Sequence, residues 1–252
     1  MSNYMVLDTE TLTADQLMLN LAYRVVNSQN EIIAVKDYLV SDYYNNKLFV
    51  KYAQFASDDK NGKYADLLRA KQIKKHSLKK TLALFEADVK KYDIKYIYAY
   101  NATFDYNVIE KEAERIGKSG IWTRLNVQVR DIWGFADKVI CHTSDYIEWA
   151  KANEVFTPTG RYISTSVESI ARYLYNNMEF EESHTAADDT RHELAILQMC
   201  FDNNANVFED TEPEKIPSNK VFTDTFVDVD GSEISFNYKY KYTRNGIITY
   251  KR

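Results

Sequence analysis

The stretch that decides the fold is Tyr4-Met5-Val6-Leu7-Asp8-Thr9-Glu10. It begins as a largely apolar run suited to a buried strand and ends in two carboxylates, Asp8 and Glu10, one residue apart. Side chains two positions apart on a strand lie on the same side, so both acids can face one site. Two acids at the end of a buried strand cost free energy unless a cation balances them, and Mg²⁺ or Mn²⁺ prefers such oxygen ligands. A divalent-metal site is one interpretation of this pattern, and a solvated strand end is the other.

The composition is that of an ordinary globular protein, with 252 residues, 45% hydrophobic and 27% charged. No apolar run approaches about 18 residues, and the first residues lack a signal peptide's pattern, so we expect a cytoplasmic protein without membrane contact. Its two cysteines, Cys141 and Cys200, are too far apart for a metal-ligand spacing and give no disulfide framework. The net charge of −5 argues against non-specific coating of duplex DNA but allows a local basic groove.

Strand patterns after the first acid pair predict an antiparallel meander. Leu19–Val26 and Ile32–Val40 both have strand character, and the polar turn Asn27–Asn30 separates them. A further strand is predicted at Ile94–Tyr100. It is followed by Asn101-Ala102-Thr103-Phe104-Asp105 and a helix, so Asp105 stands where a strand is replaced by a helix, a place where ligands gather in α/β sheets.

Later segments add a last strand, further helices and a third acidic motif. We predict a strand at Leu125–Val129, with Asp131 capping the next segment rather than binding metal, and a capping box at Thr165-Ser166-Val167-Glu168. His184-Thr185-Ala186-Ala187-Asp188-Asp189 then leads into a helix. A histidine five residues before an aspartate, after two earlier acidic corners, is more specific than a lone histidine, which is usually a cap or a surface residue.

Two basic segments have a structural and a functional interpretation each. Between Arg69 and Lys80 the chain has six cations and no acid, with Ser77 as the predicted N-cap of a helix. This segment is either a solvated helix face or a phosphate-contacting patch. Beyond Asn204 an acidic, proline-containing linker precedes three predicted strands, joined at Asp230-Gly231 and Asn245-Gly246 into a small β-meander. Its alternating cations and tyrosines either cover the edge of the core or bind a single strand.

The three acidic motifs together resemble the DEDDh branch of the DEDD-type, DnaQ-like 3′–5′ exonucleases. This branch includes the proofreading subunit of bacterial DNA polymerase III, RNase T and oligoribonuclease. The motifs that carry the resemblance lie within residues 4–201 and are Asp8-Thr9-Glu10, Asn101 through Asp105, and His184 through Asp189. The resemblance implies an α/β, RNase H-like fold with a mixed sheet whose first three strands are antiparallel. We therefore expect an exonuclease domain over residues 1–204 and a linker with a small β extension over residues 205–252.

The resemblance also implies roles for individual residues. His184 is expected to be the general base, and the family's interval of five residues selects Asp189 over Asp188 as a ligand. His192 is expected on the helix surface. Four carboxylates are expected to hold two Mg²⁺ or Mn²⁺ ions, namely Asp8, Glu10, Asp105 and Asp189. Candidate substrate contacts are Thr9, Leu12, Asn101 and Phe104. Where many relatives have Thr-Thr-Gly-Leu, this chain has Thr11-Leu12-Thr13, so no terminal-nucleotide preference is carried over.

The function that the resemblance implies is 3′–5′ exonuclease activity on single-stranded nucleic acid, DNA in the first place, with release of nucleoside 5′-monophosphates. An exoribonuclease acting on RNA 3′ ends or short oligonucleotides is the alternative, because no motif here encodes contacts to the 2′-hydroxyl. A non-catalytic module that binds nucleic-acid ends or a polymerase is the alternative of another class; such a module is expected to have lost one of the five residues, and none is lost. A polymerase or replication partner fits the resemblance. The Asn-, Lys- and Tyr-rich composition suits an AT-rich genome of a bacterium or its phage.

Overall fold

A computed structural model describes residues 3–12, 17–46 and 63–203, together with three strands within 221–251. The chain divides into two compact units. The first comprises Met1–Val129 and Ser183–Arg191, and the second comprises Arg130–Glu182 and His192–Arg252.

A six-stranded mixed sheet organises the first unit. Its strands are β1 (Tyr4–Leu12), β2 (Leu17–Val26), β3 (Ile32–Val40), β4 (Lys74–His76), β5 (Tyr96–Ala99) and β6 (Gln128–Asp131), in the order β4-β3-β2-β1-β5-β6. Strands β1, β2 and β3 are antiparallel, whereas β5 pairs with β1 and β4 pairs with β3 in parallel. Most of β1 and β2 is buried, which agrees with the apolar runs in their sequences. The predicted antiparallel start of a mixed sheet is confirmed.

Five helices of the described residues accompany this sheet, namely α1 (Ser41–Tyr44), α2 (Lys63–Arg69), α3 (Leu78–Lys91), α4 (Ala102–Arg115) and α5 (Ile121–Leu125). Helix α3 begins where predicted, because the Ser77 side chain accepts a hydrogen bond from the backbone nitrogen of Lys80. Its apolar face is buried through Leu82, Phe85 and Val89. Helix α4 ends before Gly117, whose φ of 73° suits a glycine.

An unpredicted strand and a shifted one are the main differences from the prediction. Strand β4 was not expected, because Lys74, Lys75 and His76 have no apolar alternation; its pairing with Tyr38–Val40 of β3 makes it a strand. The predicted strand at Leu125–Val129 begins three residues late, at Gln128, because Leu125 belongs to helix α5.

The second unit contains helices α6 (Ile132–Ala136), α7 (Ser144–Ala152) and α8 (Val167–Tyr175), with a single π turn at Asp137–Cys141. Asp131 caps α6 as predicted, since its side chain accepts from the Trp133 nitrogen. The N-cap of α8 is Ser166 rather than Thr165, because the Ser166 hydroxyl accepts from the Ser169 nitrogen. Helix α9 (Ala186–Asn203) starts in the first unit and continues in the second.

The prediction that His192 lies on the helix surface is wrong. Its side chain is only 2% exposed. The Tyr175 hydroxyl lies 2.9 Å from its Nδ1, and the Phe180 ring centroid lies 4.6 Å from that of His192. A polar partner and two aromatic rings therefore make burial of this imidazole favourable.

The C-terminal strands form the predicted β-meander. Strands β7 (Val221–Val227), β8 (Glu233–Tyr242) and β9 (Ile248–Lys251) pair antiparallel in that order. The predicted linker and the turns at Asp230-Gly231 and Asn245-Gly246 lie outside the described residues. The division into residues 1–204 and 205–252 stays a prediction. Within the part of the chain that the structure describes, no helix combines the length and apolar character needed to cross a membrane.

Candidate functional site

The first two acids lie where strand β1 loses one neighbour. Strand β5 pairs with β1 only through the partners of Tyr4 to Val6, whereas β2 continues alongside Asp8 and Glu10. The strand partners of the two acids are small or polar: Asp8 is opposite Ala22, and Glu10 is opposite Asn20. Both acids are half-buried. The sheet therefore presents them together next to a space that its own strands do not fill.

The third acid comes from the first turn of helix α9. Asp189 is 8% exposed, and one carboxylate oxygen from each of Asp8, Glu10 and Asp189 lies within 4.8 Å of the other two. Three ionised carboxylates at this separation repel one another unless a cation lies among them. Their all-oxygen donor set suits Mg²⁺ or Mn²⁺ rather than a thiolate-preferring metal. The chemistry of these residues thus fits the predicted divalent-metal site.

Asp105 contacts strand β1 through Thr9, the residue between Asp8 and Glu10. Its Oδ1 accepts hydrogen bonds from the Thr9 nitrogen at 2.9 Å and from the Thr9 hydroxyl at 2.7 Å. Burial raises the pKa of Asp105 to about 7; the hydrogen bonds from Thr9 oppose the shift, and the nearby charge of Glu10 adds to it. Asp105 is not one of the three converging acids in this structure, but its hydrogen bonds to Thr9 hold it against β1, the strand that carries two of them.

His184 precedes α9 in an uncommon backbone conformation. Its φ of 50° lies in the left-handed region, which is uncommon outside glycine and is often found at functional positions. The side chain is exposed. After this residue the chain enters the helix, where the carbonyl of Thr185 accepts from the nitrogens of both Asp188 and Asp189. The left-handed residue thus directs the chain into the turn that carries the third acid.

Asn20 is a site residue that the sequence did not indicate. It is fully buried, and its Oδ1 accepts a hydrogen bond from the backbone nitrogen of Ala186 at 3.2 Å. Its Nδ2 donates to Asp37 Oδ1 at 2.7 Å and to the Tyr38 carbonyl at 3.0 Å. Because Asn20 is also the strand partner of Glu10, one amide connects the strand that carries the first acids to the segment between His184 and Asp189. An asparagine inside an apolar strand belongs to no catalytic motif, so only the contacts disclose it.

Arg24 provides a second connection from β2 to the start of α9. Its Nη2 donates to the Ala187 carbonyl at 3.0 Å, and its Nε donates to the Thr190 hydroxyl at 3.3 Å. Asn20 and Arg24 are four residues apart on one strand, so they lie on the same face of the sheet. The first turn of α9 is therefore held at two points on that face.

Tyr64 of helix α2 lies beside the acids and was also missed. Its side chain is buried, and its hydroxyl lies 3.5 Å from Asn20 Oδ1. Burial raises the pKa of Tyr64 well above its usual value, and the charges of Glu10, Asp37, Asp8 and Asp189 add to the effect. The phenol therefore remains protonated next to the carboxylates.

The other candidate residues occupy different environments. Thr9 and Leu12 are buried, and Thr9 is engaged by Asp105. Asn101 is exposed with a φ of 60°, and Phe104 is half-buried. Substrate contact by these four residues stays a prediction. Asp188 forms an ion pair with Arg191 at 2.7 Å, which agrees with a surface role rather than with metal binding.

Comparison with known proteins identifies the fold. No protein-family model matches the chain, and no curated protein sequence matches it. The structure is similar to that of E. coli Exonuclease I in complex with a dA16 oligonucleotide, with a TM-score of 0.50 and 16% identity over 83% of this chain and 42% of that one. A complex of the same enzyme with a dT13 oligonucleotide gives a TM-score of 0.50 and 14% identity, over 83% of this chain and 43% of that one. The chain spans less than half the length of these proteins. It has the RNase H-like mixed α/β fold of this exonuclease.

Proposed function

We propose that the chain is a metal-dependent 3′–5′ exonuclease that hydrolyses single-stranded DNA from its 3′ end and releases nucleoside 5′-monophosphates. The observation that carries the proposal is the convergence of Asp8, Glu10 and Asp189 within 4.8 Å, from two segments far apart in sequence. The fold of an exonuclease that binds dA16 and dT13 supports the choice of a single DNA strand. The DEDDh assignment rests on His184, which stands five residues before Asp189.

Four carboxylates are proposed to hold two divalent ions. Asp8, Glu10 and Asp189 supply the converging oxygens. Asp105, which Thr9 holds against β1, is proposed as the fourth ligand. When bound, such ions activate water and stabilise the charge that develops at a phosphodiester during in-line displacement. The acids themselves are the chain's contribution: they fix where a phosphate can lie, and a bound cation favours the ionised form of Asp105.

His184 is proposed to accept the proton from the attacking water. An imidazole can take up a proton near neutral pH, and general-base help of this kind typically accelerates a reaction about 10²–10⁴-fold. Its exposed position before α9 leaves it accessible to solvent and substrate. Asn20 and Arg24 are proposed to keep the segment that carries His184 and Asp189 at a fixed place relative to Asp8.

The alternatives have less support. RNA as substrate, a replication partner and a phage origin stay predictions from the resemblance and the composition alone. A non-catalytic module is expected to have lost at least one of the five motif residues, and all five are present.

The decisive experiment uses one single-stranded DNA labelled at its 5′ end, incubated with Mg²⁺ or Mn²⁺. We expect the strand to shorten stepwise, with the label kept on ever shorter products, and EDTA to stop the reaction. A matched RNA strand and a circular DNA strand are tested in parallel. Activity that survives chelation, or cleavage of the circular strand, would contradict the proposal. Faster degradation of the RNA strand would show that RNA, not DNA, is the preferred substrate.

A further inference from the structure

A basic surface borders the sheet that carries the acids. The segment between helices α2 and α3 and the first turn of α3 together contain five exposed lysines and no acid. These lysines are here called the basic edge: Lys71, Lys74, Lys75, Lys79 and Lys80. Arg69, at the start of the segment, is paired with Asp66, so it is not counted with them. Strand β4, which contributes two of the lysines, is an edge strand of the sheet.

Protection of the sheet edge explains only part of this charge. Lysines on an edge strand discourage pairing with other chains, which accounts for Lys74 and Lys75. Lys79 and Lys80, however, occupy the first turn of α3, which has no acid of its own, although the Asp42 carboxylate of α1 accepts a hydrogen bond from the Leu78 nitrogen at 2.9 Å. The helix dipole makes that turn unfavourable for cations. Asp42 supplies one negative charge against these two lysines, so this end of the helix keeps an excess of positive charge.

One lysine of the basic edge is held in place by neutral groups. Lys75 Nζ donates to Asn45 Oδ1 at 3.0 Å and lies 5.6 Å from the centre of the Tyr44 ring. Neither contact neutralises its charge. A cation held by an amide and an aromatic ring keeps its charge available for an anion and loses little side-chain freedom on binding one.

Strand register relates the basic edge to the acids. Glu10 is opposite Asn20, Asn20 is opposite Leu39, and Leu39 is opposite Lys75. Three strand spacings place the backbones of Glu10 and Lys75 about 14 Å apart on one line across the sheet. Strands β1, β3 and β4 run in the same direction, so the acids near the end of β1 and the lysines at the end of β4 belong to the same end of the sheet.

We propose that the basic edge binds the phosphates of the substrate strand upstream of its 3′ end. This inference rests on the proposed function, because it assumes that the 3′ end lies at Asp8 and Glu10. A distance of about 14 Å corresponds to about two to four nucleotides, according to how far the strand is stretched beyond a stacked spacing of about 3.4 Å. The contact involves phosphates, so it is independent of base sequence and sensitive to salt.

The test compares two double variants of one helix. Lys79→Gln with Lys80→Gln removes two charges of the basic edge, and Lys90→Gln with Lys91→Gln removes two exposed charges from the last turn of α3. Hydrolysis of a 16-nucleotide strand and of a dinucleotide is measured over a range of salt concentrations. For the first variant we expect KM for the long strand to rise about tenfold at low salt, with the slope of log KM against log salt reduced by about 1.4. Hydrolysis of the dinucleotide is unchanged, and the control variant behaves as the wild type does.

Binding without hydrolysis separates this inference from the proposed function. Fluorescence anisotropy of a 5′-labelled 16-nucleotide strand is measured in EDTA, so the result does not depend on turnover. Weaker binding by the Lys79, Lys80 variant than by the Lys90, Lys91 variant supports the basic edge even if the chain proves not to be a nuclease. Equal binding and equal KM in the two variants overturn it, and would leave an acidic protein as the partner to test. Equal loss on the dinucleotide also overturns it, because the lysines would then act at the 3′ end.

Discussion

Among the described residues of the first unit, Glu112 and the acids of the candidate site lie in contrasting surroundings. Glu112 of α4 is fully buried, and donors of the chain surround it: the Met18 nitrogen donates to Oε1 at 3.0 Å, and the Tyr43 hydroxyl donates to Oε2 at 2.6 Å. Arg115 Nε lies 3.8 Å from Oε2. At the candidate site, in contrast, Asp8, Glu10 and Asp189 are brought against one another.

The contrast supports our proposal of an external ligand at the candidate site and not at Glu112. A buried carboxylate that receives hydrogen bonds and a nearby cation is a structural element. Carboxylates that approach each other within a few ångströms store repulsion, and a divalent ion relieves it. Glu112 should therefore matter for stability, and the cluster at the candidate site should matter for metal binding and turnover.

The largest effect should come from removing an acid of the cluster. We expect Asp8→Asn to lower turnover on a 5′-labelled strand by about 10³-fold, because several kcal/mol of charge stabilisation by the ions are lost. Quantitative rate measurements with Mg²⁺ and Mn²⁺ check this. Asp105→Asn should lower turnover as well, since it removes the fourth expected ligand. Turnover within a few-fold of the wild type in Asp8→Asn would remove the cluster from the mechanism.

The second effect concerns the two histidines near the start of α9. His184→Ala should lower turnover about 10²–10⁴-fold while metal binding stays nearly intact, because a general base is lost and no ligand is. His192→Ala is the control: it leaves Tyr175 without its imidazole partner, so it should lower the melting temperature rather than turnover per folded molecule. Equal loss of turnover per folded molecule in both variants would mean that His184 is not the base.

Much of this arrangement could be predicted from the sequence, for a physical reason. Asp8, Asp105 and Asp189 each follow a change of periodicity at a strand or helix end, where polar side chains stand out against apolar runs. His192 was misplaced because the sequence gives no sign of Tyr175 and Phe180 around it. Asn20 was missed because its importance comes from four contacts that are made only in the folded chain. Strand β4 was missed because an edge strand needs no apolar residues of its own.

A smaller effect is expected at Asn20, which touches no substrate atom in our proposal and acts through position. Asn20→Ala removes the acceptor for the Ala186 nitrogen and the two hydrogen bonds that Nδ2 donates to Asp37 and Tyr38 of β3. We expect the affinity for Mn²⁺ and the turnover to fall about 10–100-fold, as for other groups that orient metal ligands. Rising metal concentration should restore part of the rate. A purely structural role would lower the melting temperature and leave the metal dependence of the remaining rate unchanged.

The smallest effect is expected at Glu112, and it concerns stability. Glu112→Gln puts an amide nitrogen against one of the two donors, so it should lower the free energy of unfolding by about 1–3 kcal/mol and leave turnover per folded molecule intact. Urea unfolding in EDTA measures the first quantity. No change in stability would show that the hydrogen bonds of Glu112 contribute nothing.

The difference in unfolding free energy between the wild type and Glu112→Gln should depend on pH. Burial raises the pKa of Glu112 above its ordinary value of 4.5, although Tyr43, Met18 and Arg115 lower it in part. A raised pKa means that the folded state holds the proton more tightly, so this contribution to stability is complete below about 4.5 and is lost as pH rises through the raised value. The wild type should therefore exceed Glu112→Gln in stability by more at pH 4.5 than at pH 8. A gap that widens with pH would contradict this sign.

Direct Mn²⁺ binding tests the central claim that the cluster is a metal site and that the other buried acid is not. Calorimetric titration is carried out on the wild type, on Asp189→Asn and on the matched control Glu112→Gln, each shown to be folded. The account predicts saturable binding by the wild type and by Glu112→Gln, and binding at least about tenfold weaker by Asp189→Asn. No saturable binding by the wild type, or equal affinity in Asp189→Asn, would contradict it.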